Sequence, residues 1–327
     1  MAIDPGTLDW LLDSDPALRW QVERDLAAES PEVWQATRAR VATEGFGARL
    51  LALQDADGQW AGGSYFPAGY FDSPEKDEPG QPWNATTWSL NSLREWGMPA
   101  EALGDTAAKL ALNSRWDYND GPYWEGEVDV CINAFTLGNG AWLGADVSTL
   151  VTWFPEHRMS DGGWNCEAEE GSGSTRSSVN STLNAVRGIL DYERRTGGSG
   201  AGDTSLREAR ATGEEYLLSR LLRKVSTGEE VVRGVRALAY PFRHHHTVLR
   251  SADHFRRASL HDGTAPDARL EETIEIIRAR RQPDSTFLQD YRYPGRMWFE
   301  VDVPEGEPSK WVTFYATRVL DWWDATR

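Results

Sequence analysis

The apolar positions sort into two kinds of helical stretch that alternate along the chain. Ala85 to Trp96, Val130 to Leu143, Ser178 to Tyr192, His244 to Phe255 and Trp311 to Trp323 are rich in small and aromatic residues with polar residues embedded among them, which predicts inner helices. Glu101 to Asn113, Ser205 to Leu222 and Arg269 to Arg281 carry charge on one face and Leu, Ile or Ala on the other, the pattern of an outer layer. Asp15-Pro16 places an N-cap before a proline at the first helical position and predicts a helix through Trp20, Val22 and Leu26, with residues 31–54 as its partner. Between helices, 171–178 and 196–205 are Gly- and Ser-rich loops, and 66–82, with its prolines and acids, is a long loop able to cover a cavity. None resembles a domain linker, so 1–327 is expected to form one domain.

A short string punctuates these pairs. Asp57-Gly58-Gln59-Trp60 recurs as Asp120-Gly121-Pro122-Tyr123, as Asp161-Gly162-Gly163-Trp164 and, worn down, as Asp284-Ser285-Thr286-Phe287. An internal repeat of this kind marks stacked helical hairpins, none of which can bury its apolar stripe alone. The acid is expected to cap a helix end, the glycine to permit a tight turn, and the aromatic ring to pack over the neighbouring hairpin. The strings Leu53 to Trp60 and Met159 to Cys166 resemble the QW repeats of squalene and hopene cyclases and of their relatives, the protein prenyltransferase β subunits. That resemblance implies an all-α fold, an (α/α)6 toroid of helical hairpins around a central cavity. Its implications for activity are weaker, because one scaffold hosts many chemistries.

Charge narrows the partners. With 34 Lys and Arg against 51 Asp and Glu, the net charge of −17 disfavours electrostatic binding to nucleic acid or an anionic membrane. No basic start followed by an apolar stretch opens the chain, and no apolar run is long enough to span a bilayer, so a cytoplasmic location is the expectation. Two cysteines, Cys131 and Cys166, are too few for a disulfide framework and point instead to metal, catalytic or buried roles.

Three constellations carry candidate chemistry. Asp129 and Cys131 open an inner helix two residues apart and can both reach one Zn²⁺. The Asp-x-Cys spacing resembles the zinc ligands of protein prenyltransferases, in which a His opens the next inner helix. Asn180 stands at the matching position here, leaving Cys166 or one of His244, His245 and His246 to complete a site. The alternative reading has Cys131 as an apolar wall residue and Asp129 as a cap. In the second constellation, a helix starting near Pro241 turns successive histidines about 100° apart, which leaves His245, on the stripe of Leu249, Ala252 and Phe255, as the inward proton donor or hydrogen-bonded wall. The third set is acidic and aromatic: Trp124, Glu125, Glu127 and Asp129 before one inner helix, and Trp298, Phe299, Glu300 and Asp302 before the last. Facing carboxylates can divide acid and base roles, and aromatic faces steady developing positive charge. The Asp-x-Asp-Asp acid motif of squalene-hopene cyclases and the Asp-Asp-x-x-Asp string that binds diphosphate through Mg²⁺ are both absent, which leaves Asp129 or Glu127 as the catalytic acid.

Of the 16 Trp, Trp60 and Trp164 belong to the repeat, whereas Trp88, Trp142 and Trp311 fall on inner helices where they line core or cavity. Arg243, Arg250 and Arg296 can clamp an anionic head group or pair with the many carboxylates. The expectation is therefore a terpenoid-cyclase-like or prenyltransferase-like enzyme acting on an isoprenoid or another largely apolar small molecule. Catalysis would fall to Asp129, Glu127 and His245, substrate contact to Trp88, Trp124, Asn180, Arg243, Trp298 and Trp311, and metal binding, if any, to zinc on Asp129 and Cys131. A non-catalytic toroid binding a small apolar ligand or a protein partner is one alternative. A glycan-active α/α barrel with paired carboxylates is another.

Overall fold

The computed structural model describes residues 3–168, 173–224, 228–230 and 234–325. Thirteen α-helices run through the described residues, joined by short 3-10 turns and isolated bridges with no strand, so the chain is all-α. In order they are α1 Pro5–Leu12, α2 Pro16–Asp25, α3 Pro31–Arg40, α4 Gly45–Leu51, α5 Thr86–Glu95, α6 Thr106–Asn113 and α7 Val130–Leu143. Then follow α8 Ser148–Glu156, α9 Val179–Thr196, α10 Asp203–Ser219, α11 Val248–Asp262, α12 Glu271–Arg278 and α13 Lys310–Ala325.

The apolar, small-residue stretches become the buried helices. Every residue of α7 from Val130 to Trp142 is buried, which is why its sequence shows no polar face. Its neighbour α9 crosses so closely that a side chain at Gly188 would meet the Ala134 carbonyl at 2.3 Å. The helices α5, α8 and α6 also pack on α7; α10 packs on α9 and α8; α11, α12 and α13 pack on one another; α13 meets α1 and α2; and α4 joins α2 to α5.

Several boundaries differ from the sequence expectation. Residues 31–54 form two helices, because Gly45 takes a left-handed φ of 62° and the Asp15 carboxylate occupies the place its side chain would need. That carboxylate caps α2 through Ala17 N and also accepts from Phe46 N, both at 2.9 Å. The helix expected from residue 101 starts only at Thr106, after a 3-10 turn ended by Gly104. Most consequentially, the histidine triplet is not helical. Thr247 caps α11 by accepting from Arg250 N at 3.2 Å, so His244, His245 and His246 belong to the approach segment and the helical stripe assigned to His245 does not exist. Two helices, α1 and α8, were not foreseen, although Asp4-Pro5 repeats the Asp15-Pro16 signature. Residues 171 and 172 of the Gly-rich loop at 171–178 lie outside the described residues, as does Met1.

The repeat has a definite wiring. Trp60 and Trp164 are fully buried; each backbone N–H donates to a threonine in the first turn of the following buried helix, Thr86 or Thr182, at 3.0 Å. Each indole N–H donates back to the end of the preceding helix, to Leu50 O at 2.8 Å and Phe154 O at 3.0 Å. Phe287 N bonds Thr313 in the same way at 2.9 Å. The aromatic residue thus ties two helices together rather than lying over a hairpin. The acids do not cap helices: Asp57 and Asp284 accept from the backbone N–H two residues on, closing their own turns. Gly58 and Gly162 sit at φ of 93° and 102°, where only glycine is unstrained. Asp120 to Tyr123 lacks this wiring, and Tyr123 instead bonds Thr87 through its hydroxyl. A Trp60→Phe variant keeps most of the ring but removes the indole bond to Leu50 O, which retains its backbone partner Leu53 N, so we expect it to cost about 0.5–1.5 kcal/mol. Urea unfolding with an unchanged midpoint would contradict the wiring.

Candidate functional site

A cavity of about 700 Å³ opens among α2, α5, α7, α9, α11 and α13. This lies within the roughly 300–1,000 Å³ usual for small-molecule sites. One wall is aromatic, with Trp88, Trp96, Tyr240, Phe242, Phe299 and Tyr315 among its residues. Loops complete that wall: Trp83, at the end of the long 66–82 loop, donates through its backbone to Arg296 O at 2.7 Å and through its indole to Pro294 O at 3.0 Å. This contact joins the long loop to the segment that carries Met297, Trp298 and Phe299 to the cavity.

The rest of the lining is cationic. Ten arginines face four carboxylates, Asp25, Glu95, Asp191 and Asp253, in a chain whose net charge is −17. Asp191 on α9 is paired with both Arg94 of α5 and Arg257 of α11. Burial would raise its pKa, but Arg257, Arg94 and Arg187 together hold it far below the ordinary carboxylate range. Asp253 on α11 accepts from Arg318 of α13 at 2.6 and 3.0 Å and lies 3.7 Å from Arg187. Its burial is likewise outweighed, by Arg318, Arg187 and Arg257, which bring it to about 2. Asp25 of α2 reaches Arg318 at 3.2 Å, and Asn139 of α7 accepts from Arg94 Nε at 2.9 Å.

Four lining arginines have no carboxylate within ion-pair distance among the described residues: Arg38, which donates to Gly97 O at 2.9 Å, and Arg194, Arg243 and Arg250. Burial, reinforced by Arg187, lowers Arg250 to about 9, and burial lowers Arg243 to about 10. Arg194, at the exposed rim, is lowered to about 10 chiefly by Arg257. Arg243 lies over the Trp83 ring at 5.2 Å, and Arg250 donates to Asn184 Oδ1 at 2.6 Å. Desolvation accounts for the Arg243 shift, whereas neighbouring arginines add to those of Arg250 and Arg194.

Of the residues singled out by sequence, Trp88, Arg243, Arg250, Trp298 and Phe299 line this cavity; the other site candidates do not. Trp311 stands one layer back, stacked on Tyr240 at 4.4 Å, and Trp124 is tied to Ala107 O at 2.9 Å. Arg296 pairs with Glu75 at 3.0 Å. Glu127 and Asp129 organise the start of α7: Asp129 N donates to the Glu127 carboxylate at 3.1 Å, and Asn133 closes a reciprocal pair with the Glu127 backbone. Asp302 is half-buried, its desolvation raises it to about 6, and it accepts from Ser309 Oγ at 2.6 Å. The reason is geometric. Asp129, Cys131 and Asn180 sit at helix N-terminal ends and His245 on the approach to another, whereas the cavity is lined by α5 from Trp88 onward, by α9 from Asn184 onward and by the body of α11.

At those N-terminal ends a second cluster forms. Cys131 Sγ and Cys166 Sγ are 3.3 Å apart, Asn184 Nδ2 donates to Cys131 at 3.2 Å, and Ser181 Oγ donates to Cys166 at 3.3 Å. The hydrogen bond between the thiols, with burial, holds Cys131 well above the usual thiol value, and the same bond lowers Cys166. Among the described residues no three His, Cys, Asp or Glu side chains gather as a metal site. Nearby, His245 stacks on Tyr293 with ring centroids 4.0 Å apart, and His244 leans on Trp83 and Trp88.

No protein-family model and no curated protein matches the chain. Among solved structures, a protein from Actinoplanes is similar over 95% of this chain and 90% of its own, at 15% identity and a TM-score of 0.45. No helix of the described residues is long and apolar enough to cross a membrane.

The histidine segment has a measurable consequence. Burial lowers His244 to about 3 and His245 and His246 to about 4, against an ordinary 6.5. The unfolded chain therefore binds more protons below pH 6.5, so the stability of the neutral histidines is present above that value and is lost as pH falls toward about 4. We expect the melting temperature to fall between about pH 7 and about pH 5, and His245→Gln to flatten that slope. An equal slope in the variant would remove His245 from the account.

Proposed function

We propose that the buried helices close into an α/α toroid and that its cavity takes an amphiphilic small molecule, with an apolar, isoprenoid-like body on the aromatic wall and an anionic group among the arginines. The circuit of helix contacts supports the ring: α2, α4, α5, α7, α9, α11 and α13 each touch the next, and α13 touches α2. The observation that carries the ligand class is the surplus of arginine over carboxylate inside a strongly acidic chain. A surface salt-bridge pattern does not require such a surplus, and a phosphate, diphosphate or carboxylate would offset it with charge-assisted hydrogen bonds. A glycan-active barrel fits less well, because Asp25, Asp191 and Asp253 are each held in ion pairs.

A catalytic version of this reading rests on Glu95. Its carboxylate lines the cavity beside the aromatic wall and accepts from the Tyr315 hydroxyl at 2.5 Å, so it is the acid in this chain best set to move a proton on a bound isoprenoid. The candidates Asp129, Glu127 and His245 lie outside the lining and are not carried into it.

Two variants divide these statements. Arg243→Gln removes a half-buried cation that has no carboxylate partner, so we expect the unliganded protein to melt no lower than the parent while affinity for a prenyl phosphate falls about tenfold. Glu95→Gln should keep that affinity and lose turnover of a prenyl diphosphate. Unchanged affinity in Arg243→Gln would refute the anionic end of the cavity, and full turnover in Glu95→Gln would refute the catalytic role.

A further inference from the structure

We propose that Cys131 and Cys166 are a reversible redox pair that closes into an intramolecular disulfide on exposure to a peroxide or a small-molecule disulfide. The two residues are 35 apart in sequence, yet their sulfurs lie at 3.3 Å. A disulfide requires about 2.05 Å, so the remaining approach is roughly 1.3 Å, within reach of side-chain rotation and small backbone shifts. Both residues are free thiols here.

The surroundings suit thiol exchange. Cys131 is buried in the first turn of α7, whereas Cys166 is only partly buried, just beyond the Trp164 turn. The more accessible Cys166 is therefore the sulfur that meets the oxidant, and Cys131 is the one that resolves it. Ser181 Oγ and the Cys166 backbone N–H form a mutual clamp, the hydroxyl donating to Sγ and accepting from N at 3.2 Å, which holds Cys166 against the start of α9. Asn184 Nδ2 donates to Cys131, which stabilises negative charge on that sulfur when the disulfide is reopened. Both thiols thus have a polar donor beside them.

With hydrogen peroxide, the Cys166 sulfur attacks one oxygen and the O–O bond breaks; the departing hydroxide takes the thiol proton and leaves as water, with a sulfenic acid on Cys166. The Cys131 sulfur then attacks Cys166 Sγ, the S–O bond breaks, and the hydroxide released takes the Cys131 proton as a second water. Two thiols are oxidised, one peroxide is reduced, and an external dithiol reverses the change. With a disulfide such as oxidised glutathione, Cys166 forms the mixed disulfide and releases one glutathione thiol, and attack by Cys131 releases the other. This chemistry is independent of what the cavity binds.

The test equilibrates the full-length native chain with graded mixtures of reduced and oxidised glutathione, quenches in acid, and counts free thiols by alkylation and mass spectrometry. The expected product is monomeric, lighter by two hydrogens, cross-linked between the peptides of Cys131 and Cys166, and restored by dithiothreitol. Its equilibrium constant should exceed that of the same chain in urea by about tenfold or more, because the fold holds the sulfurs together. Cys131→Ser should instead retain glutathione on Cys166. Two thiols still free at the most oxidising mixture, separate glutathione adducts on the parent chain, or an equilibrium constant no higher than in urea would each overturn the proposal.

Discussion

Burying like charge is expensive, and this molecule surrounds one cavity with ten arginines. What makes that arrangement tolerable is a pair of aspartates. Asp191 bridges α5 and α11 from α9, and Asp253 bridges α13 and α9 from α11, so each acid neutralises cations delivered by other helices. With Asp25 of α2 and Asn139 of α7 the network touches six helices, and every one of them contributes to the cavity lining. Removing one partner from such a buried pair typically costs about 3–5 kcal/mol, because the other charge is stranded. The arrangement therefore constrains the helix positions as strongly as it sets the cavity's potential. Arg38, Arg194, Arg243 and Arg250 are the lining cations that Asp25, Asp191 and Asp253 leave without an ion pair.

A second constraint acts at the other ends of the helices. The buried aromatic residue of each wired repeat pins the first turn of α5, α9 or α13 through Thr86, Thr182 or Thr313. These helices are held at their N-terminal turns by turn hydrogen bonds and farther along by charge: Arg94 ends α5, Arg187 and Asp191 lie on α9, and Arg318 lies on α13. The repeat is thus structural, and the cavity is lined by residues between the repeats. The thiol pair sits on the pinned side, while Asn184, bonded to both Cys131 and Arg250, runs between the two sides.

Much of this was legible in the sequence. The helices α5, α7, α9 and α13 emerge close to their expected bounds because small and aromatic residues repeat along them at helical spacing. The cavity was legible only in part. Trp88, Arg243, Arg250 and Trp298 were marked by residue type, but Asp129, Cys131 and Asn180 were chosen by family spacing, which says nothing about which end of a helix faces the cavity. The missing signal was available: Arg187 with Asp191, and Arg250, Asp253 and Arg257, put charge at three- and four-residue intervals on helices that otherwise bury themselves. His245 was misjudged for a different reason. The N-cap at Thr247 starts α11 only after the triplet, and no hydrophobic periodicity reveals such a boundary.

The central claim is that the cavity is built for a molecule with an apolar body and an anionic group. Titration calorimetry with a prenyl phosphate and the corresponding prenyl alcohol, each at low and high ionic strength, tests it most directly. The account predicts that the phosphate binds at least about tenfold more tightly than the alcohol, a difference of about 1.4 kcal/mol, and that added salt narrows the gap. Equal affinities for the two ligands, or no binding of the phosphate, would contradict it.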